Sequence, residues 1–333
     1  MATIELFGKL FEKSTFPTKE VNQLVKQMTT MMEAKSDDPV YMAREALKKH
    51  FQTYPAGDPR NTVLNEDLIK GLKSLTREEL YDWYKTAVSA EHGAIAIVGE
   101  FDPAAVKAAL EKLYGNAKKV DAKYAYERYF GEYKPVAAER IVIDAPSKEN
   151  AVIVARVDFA ASVNDEDAAA LVVADWILGG GTGLSNRLVD RLRQKEGLSY
   201  GVGSHVKLPQ FGNRSSWMMS AIVAPQNLPK AEACAKEEIE RAVKEGFTDQ
   251  EVKEAIKGIL DSRAVNRAQD DYLAQSWLQF MEAGKTFAFS KQFEERIAAV
   301  TVDSVNAALR RMVVPENVTW ILSGDLAKAG IKK

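Results

Sequence analysis

Cysteine is almost missing from this chain: Cys234 is the only one among 333 residues. No internal disulfide can form, so the fold does not depend on an oxidising compartment. Cys234 falls within the amphipathic helical pattern of Ala231 to Ala242, where it reads as a small core residue. Histidine is nearly as scarce. His50, His92 and His205 lie far apart in sequence, and there is no His-x-x-x-His, no His-x-x-Glu-His and no cysteine pair. A zinc site assembled by this chain alone is therefore not expected. Neither sign of charge is in excess, with 45 Lys and Arg against 47 Asp and Glu. That balance gives no electrostatic case for nucleic acid or an anionic membrane. Long apolar runs are lacking too. The longest, Ala168 to Leu178, is broken by Asp175 and is too short to span a bilayer. Met1 to Leu10 lacks the basic start and apolar core of a secretory signal, so a soluble protein or a soluble piece of one is expected.

What is present is ordinary globular material, 46% hydrophobic and 28% charged, enough for a large core. The length suggests two domains or one and a half copies of a repeat. Residues 16 to 52 read as two helices interrupted at Asp37-Asp38-Pro39. Thr76-Arg77-Glu78-Glu79 is a capping box that opens another helix. Ala94 to Gly99 reads as a buried strand, and Asp102-Pro103 starts a helix. Residues 116 to 138 show no clear period and read as a linker. Strands are predicted over 140–143, 150–160, from Leu198, over 215–223 and over 318–323. Helices are predicted over 165–178, 228–245, 249–282 with a break near Asp270-Asp271, and 291–311.

The sequence also aligns with itself. Thr76 to Asp102 matches Thr301 to Ala327 without gaps, so Ala94-Ile95-Ala96-Ile97-Val98-Gly99 falls on Thr319-Trp320-Ile321-Leu322-Ser323-Gly324. Upstream, Phe16 to Val21 matches Phe247 to Val252. The second copy has a front part, roughly 139 to 246, to which the first copy offers no counterpart. On this reading the chain begins in the middle of a unit.

The stretch from Leu178 to Val202 organises the rest. Leu184, Leu188 and Leu192 step by four and mark a packed helical stripe, with Arg193 lying off it. Gly197 is the natural stop, since glycine alone enters the left-handed conformation cheaply. Tyr200, Val202, Ser204 and Val206 are then predicted to share one strand face, with Gly201 and Gly203 on the other. Arg193 and Tyr200 thus meet at one edge, a candidate functional pair. A plainer reading stands beside it: Arg193 pairs with Asp190 or Glu196 on a solvated helix face, and Tyr200 is core. Gly179 to Gly183 has no following lysine and is not a P-loop. It resembles the glycine signature of tubulin-like GTPases, but Leu184 and Ser185 depart from that motif. A tight helix-to-helix turn accounts for it.

Leu178-Gly179-Gly180-Gly181, Leu184-Ser185-Asn186-Arg187-Leu188 and Leu192 through Tyr200 together resemble the C-terminal domain of the pitrilysin (insulinase-like, mitochondrial-processing-peptidase-like) zinc metallopeptidases. The resemblance implies an α+β fold of antiparallel or mixed sheets packed against helices. It implies the rear part of a first family unit over 1–115, a linker over 116–138 and one complete second unit over 139–333. In that family one domain carries an inverted His-x-x-Glu-His motif that binds zinc, while its homologous partner supplies an arginine and a tyrosine to the peptide substrate. Those roles fall on Arg193 and Tyr200. The zinc motif has no match here. The resemblance therefore implies a non-catalytic, substrate-positioning half, inactive alone, with zinc in the parent enzyme only. The implied partners are a peptide and a zinc-bearing domain or subunit, as a homo- or heterodimer, in a bacterial periplasm or cytoplasm. The competing expectation is a catalytically dead structural or assembly subunit of the same superfamily.

Overall fold

The computed structural model describes residues 2–91, 93–120, 129–181 and 186–332. Their contacts gather into two units, one of residues 1–34, 65–128 and 267–286, the other of residues 35–64, 129–266 and 287–333. These are packing units. They interleave along the chain, whereas the boundaries expected above follow the self-alignment.

The second unit is built on a five-stranded sheet: β1 (Arg140–Asp144), β2 (Ala151–Ala160), β3 (Ser199–Lys207), β4 (Arg214–Val223) and β5 (Thr319–Gly324). Their spatial order is β1-β5-β2-β4-β3, with β1 parallel to β5 and every other pairing antiparallel. The expected α+β class with a mixed sheet is what the chain forms. β2 and β5, in the interior of the sheet, are buried almost throughout, and β4 alternates buried and half-buried positions. That is the difference between strands covered on both faces and a strand covered on one.

One face of the sheet carries the main core, in which Ile153, Leu171, Leu178, Trp217, Met219, Ile239, Ile297 and Leu309 are fully buried. Each contributes about 1.5–3 kcal/mol by leaving water. The helices that supply this layer are α7 (Ala168–Asp175), α9 (Leu228–Glu245), α10 (Asp249–Asn266), α12 (Phe287–Ala299) and α13 (Val302–Met312). α8 is a single turn, Arg187–Val189, and α14 closes the chain over Leu326–Ala329. Cys234 is buried and unbridged in α9, a small core residue. The opposite face is covered in part by α3 (Pro39–His50), whose Ala43 and Leu47, with Phe51, pack on Val152, Val154 and Ile321.

The first unit comprises α1 (Ala2–Lys13), α2 (Thr18–Ala34), α4 (Asn65–Ser74), α5 (Arg77–Ala87), α6 (Pro103–Tyr114) and α11 (Asp270–Glu282). The break at Asp37-Asp38-Pro39 falls where it is predicted, with Asp38 capping α3 through the Tyr41 amide. Thr76 and Glu79 form the reciprocal capping box on α5, and Asp102 caps α6. Two expectations fail. Ala94 to Gly99 forms no strand and lies largely exposed, because among the described residues no neighbouring strand takes up its backbone groups. The helix predicted over 291–311 is two helices, since Thr301 caps a new one reciprocally with Ser304. Among the described residues no helix is long and apolar enough to cross a membrane.

Candidate functional site

The site begins where α7 changes pitch. After Asp175 the helix widens into a π turn over Trp176–Gly180, and a second π turn, Asp190–Lys195, follows α8. Such wide turns recur at functional sites because they rotate the side chains that follow. Residues 182–185, including Leu184 of the predicted stripe, lie outside the described residues, while Leu188 and Leu192 are fully buried. Gly179 and Gly180 allow close approach. A Cβ on Gly179 would lie 2.6 Å from Ser204 Oγ and 2.9 Å from Leu188 Cδ1, and one on Gly180 would collide with Asp175 Oδ2.

Asp175 ties this turn to the sheet. Its Oδ1 accepts hydrogen bonds from Ser204 Oγ at 2.6 Å and Trp217 Nε1 at 3.0 Å, and its Oδ2 from the Val206 amide at 3.0 Å. The last of these satisfies an outward amide of β3, the edge strand. Burial pushes its carboxyl up to about 6 against the opposing pull of these three donors. Asn186 completes the frame, accepting from the Val189 amide and donating to the Gly181 carbonyl.

The second π turn carries Arg193. It ends at Gly197, whose φ is +62°, with the Leu198 amide reaching back to the Leu192 carbonyl at 2.8 Å. This is a Schellman-like stop, one residue wider because the turn before it is π. Neither acidic neighbour pairs with Arg193. Asp190 binds Lys195, and Glu196 binds Arg191 and Lys230. Arg193 is exposed and makes no ion pair or side-chain hydrogen bond among the described residues.

Tyr200 follows at once, and here the predicted strand geometry is wrong. A bulge interrupts β3 between Ser199, opposite Val223, and Gly201, opposite Ile222. Val202, Ser204 and Val206 stand opposite the buried Ala221, Met219 and Trp217 and belong to the core face, but the bulge removes Tyr200 from their row. It is 66% exposed instead of core. Ser199 holds the bulge, its hydroxyl donating to the Ile222 carbonyl at 2.5 Å and accepting from the Gly201 amide at 3.2 Å. The Tyr200 hydroxyl donates to Asn150 Oδ1 at 2.8 Å. Asn150 precedes the residue that pairs with Val223, so it lies at the same end of the sheet. No local motif in the sequence distinguishes Asn150.

Thus Arg193 and Tyr200 sit at the two sides of one Gly197 turn, both displayed to solvent. A guanidinium fork can bind carbonyl or carboxylate oxygens, and a phenol can donate a hydrogen bond to a developing oxyanion. The residues do not fit a catalytic metal. Among the described residues no group of three His, Cys, Asp or Glu can hold one. His50 is engaged by the Ala137 carbonyl, Thr319 and Glu139, His205 stands alone on β3, and His92 lies outside the described residues.

Comparison with known proteins identifies the fold and the family. The chain is 20% identical over 97% of its length to a Helicobacter pylori protein described as the non-peptidase homolog YmxG, covering 73% of that protein. It is 27% identical, over 73% of the chain and 52% of the relative, to an uncharacterised zinc protease of Streptomyces coelicolor. In structure it resembles a crystallised peptidase M16 inactive domain from Pseudomonas fluorescens, with a TM-score of 0.78 at 19% identity over 97% of this chain and 74% of that one. The profile of the peptidase M16 inactive domain matches residues 74–259, and the chain belongs to that family of pitrilysin-like metallopeptidase domains.

Proposed function

We propose that this chain is the non-catalytic, substrate-positioning half of a zinc-dependent metallopeptidase. Arg193 and Tyr200 hold the peptide near the scissile bond, and a zinc-bearing homologous domain or subunit supplies the metal chemistry. The observation that supports this best is the display of both side chains beside one turn, on an inactive-domain fold, with Arg193 making no ion pair among the described residues and Tyr200 66% exposed. Neither serves the core. The Tyr200 hydroxyl, parked on Asn150, is oriented as a donor and can transfer its hydrogen bond to a substrate oxygen.

A partner for the first unit is supported separately. Leu6, Phe7, Leu10, Leu24, Trp83 and Phe101 are exposed there, and Ala94 to Gly99 lies largely exposed outside any strand. Six large apolar side chains left exposed in one unit support a partner that covers them. We read residues 1–115, whose segments align with the rear of the second copy, as the rear part of a first family domain.

The test is peptide hydrolysis by this chain reconstituted with its zinc-bearing partner. Arg193→Ala and Tyr200→Phe are each expected to remove about 2–4 kcal/mol of transition-state stabilisation, seen in kcat/KM. Rates indifferent to both substitutions would instead support a structural or assembly subunit.

A further inference from the structure

The second unit holds a cationic pocket that the positioning pair does not use. It has a volume of about 280 Å³ and lies where β2, β3 and β4 meet the segment after α3. Arg156 and Arg214 enter it from β2 and β4, and Lys207 from the end of β3, over a base that includes Phe51, Tyr54 and Ser216.

The charges do not balance. Arg156 and Arg214 share one carboxylate, Asp158, which is only 1% exposed and lies 2.7 Å from each Nε. Arg214 is otherwise spent on Thr53 Oγ1 and the Phe51 carbonyl, while Arg156 lies 4.3 Å over the Phe51 ring. Lys207 has no ion pair among the described residues. Arg60 and Lys48, at the rim, are matched by Asp58 and Glu45. Among the described residues the pocket therefore keeps two positive charges more than it has carboxylates to meet them, with Arg156, Arg214 and Lys207 set against Asp158. His205, on the same strand as Lys207, registers this field: burial and then Arg156 and Lys207 hold its pKa below the ordinary value.

We infer that this pocket binds a carboxylate of an acidic peptide, with Arg156 and Lys207 as its donors. An Asp or Glu side chain and a free C-terminus offer the same chemistry. The inference rests on the peptide reading given above and names a substrate preference for it. β3 begins at Ser199 and ends at Lys207, so the pocket lies about 23 Å along that strand from Tyr200. An extended peptide held at Tyr200 reaches it after about seven residues.

The test is fluorescence anisotropy with three neutral-dye-labelled octapeptides on the full chain. One has a single Glu and an amidated C-terminus, one a Gln in that place and a free C-terminal carboxylate, and one is neutral at both positions. At least one charged peptide is expected to bind roughly fivefold to tenfold more tightly than the neutral one. Which of the two gains identifies side chain or terminus as the occupant. Lys207 is exposed, so Lys207→Gln leaves the core intact, and it should bring the preference within about twofold while Lys207→Arg keeps it. Equal binding of all three peptides, weakened by Tyr200→Phe, overturns the pocket and leaves the positioning role standing. A charge preference untouched by Lys207→Gln also overturns it. A Lys207-dependent preference beside reconstituted activity indifferent to Arg193→Ala and Tyr200→Phe keeps the pocket and removes the positioning role. Binding of none of the peptides overturns both.

Discussion

At the residue scale, the two side chains assigned to substrate carry little of the fold, and the residues behind them carry much. Arg193→Ala and Tyr200→Phe should change unfolding free energy by less than about 0.5 kcal/mol, measured by urea denaturation. Asp175 behaves oppositely. With a carboxyl that titrates at 3.8 when exposed and about 6 when buried, the folded chain retains a proton that the unfolded chain has released. Stability should therefore fall as pH rises from 3.8 to about 6, by about 2–3 kcal/mol, and level off above. Asp175→Asn should abolish that slope, at a cost of about 1–3 kcal/mol because its amide meets the Val206 N–H. A difference curve flat through this window would contradict the assignment. Asp175 was visible in the sequence only as an interruption of an apolar run. Its role depends on Ser204, Val206 and Trp217, all more than 25 residues away.

At the element scale, the legible parts are those whose signals are local. The caps at Asp38, Thr76 and Asp102 sit next to the helices they open, and the Gly197 stop needs only its own left-handed backbone. The illegible parts depend on distant neighbours. Nothing near Tyr200 announces a bulge, and alternation alone assigns it to the core. Apolar spacing does not distinguish an α turn from the π turns before Gly181 and around Arg193. Ala94 to Gly99 has strand composition, but composition does not supply a pairing partner. The Arg187–Glu251 pair, with both guanidinium-to-carboxylate bonds under 3 Å, fastens α8 to α10, and Arg187 also donates to the Gly246 carbonyl and covers the Phe247 ring. Burial raises the Glu251 pKa, but Arg187 and Thr248 outweigh it and hold the carboxyl down to about 2. That stabilisation is present above the usual 4.5 and is lost as pH falls towards about 2. Arg187→Met should cost about 2–4 kcal/mol at neutral pH and much less at the acid end, by thermal or chemical denaturation. An equal cost at both pH values would contradict an ionic fastening. Gly179→Ala should cost about 1–3 kcal/mol, because Ser204 and Leu188 must yield to its methyl group.

At the scale of the whole molecule, the chain combines a well-buried second unit with a first unit whose apolar residues are largely exposed. The family was legible because the stretch from Leu178 to Tyr200 is long and specific, and the match over 74–259 agrees with it. The central claim is that this chain positions a substrate for zinc held by another. The most direct measurement is zinc content and peptidase rate of the chain alone and of its equimolar mixture with the zinc-bearing partner. No zinc and no hydrolysis are expected of the chain alone, then one zinc per pair and turnover in the mixture. Hydrolysis by the isolated chain, or a loaded partner whose rate is unchanged when this chain is added, would contradict it.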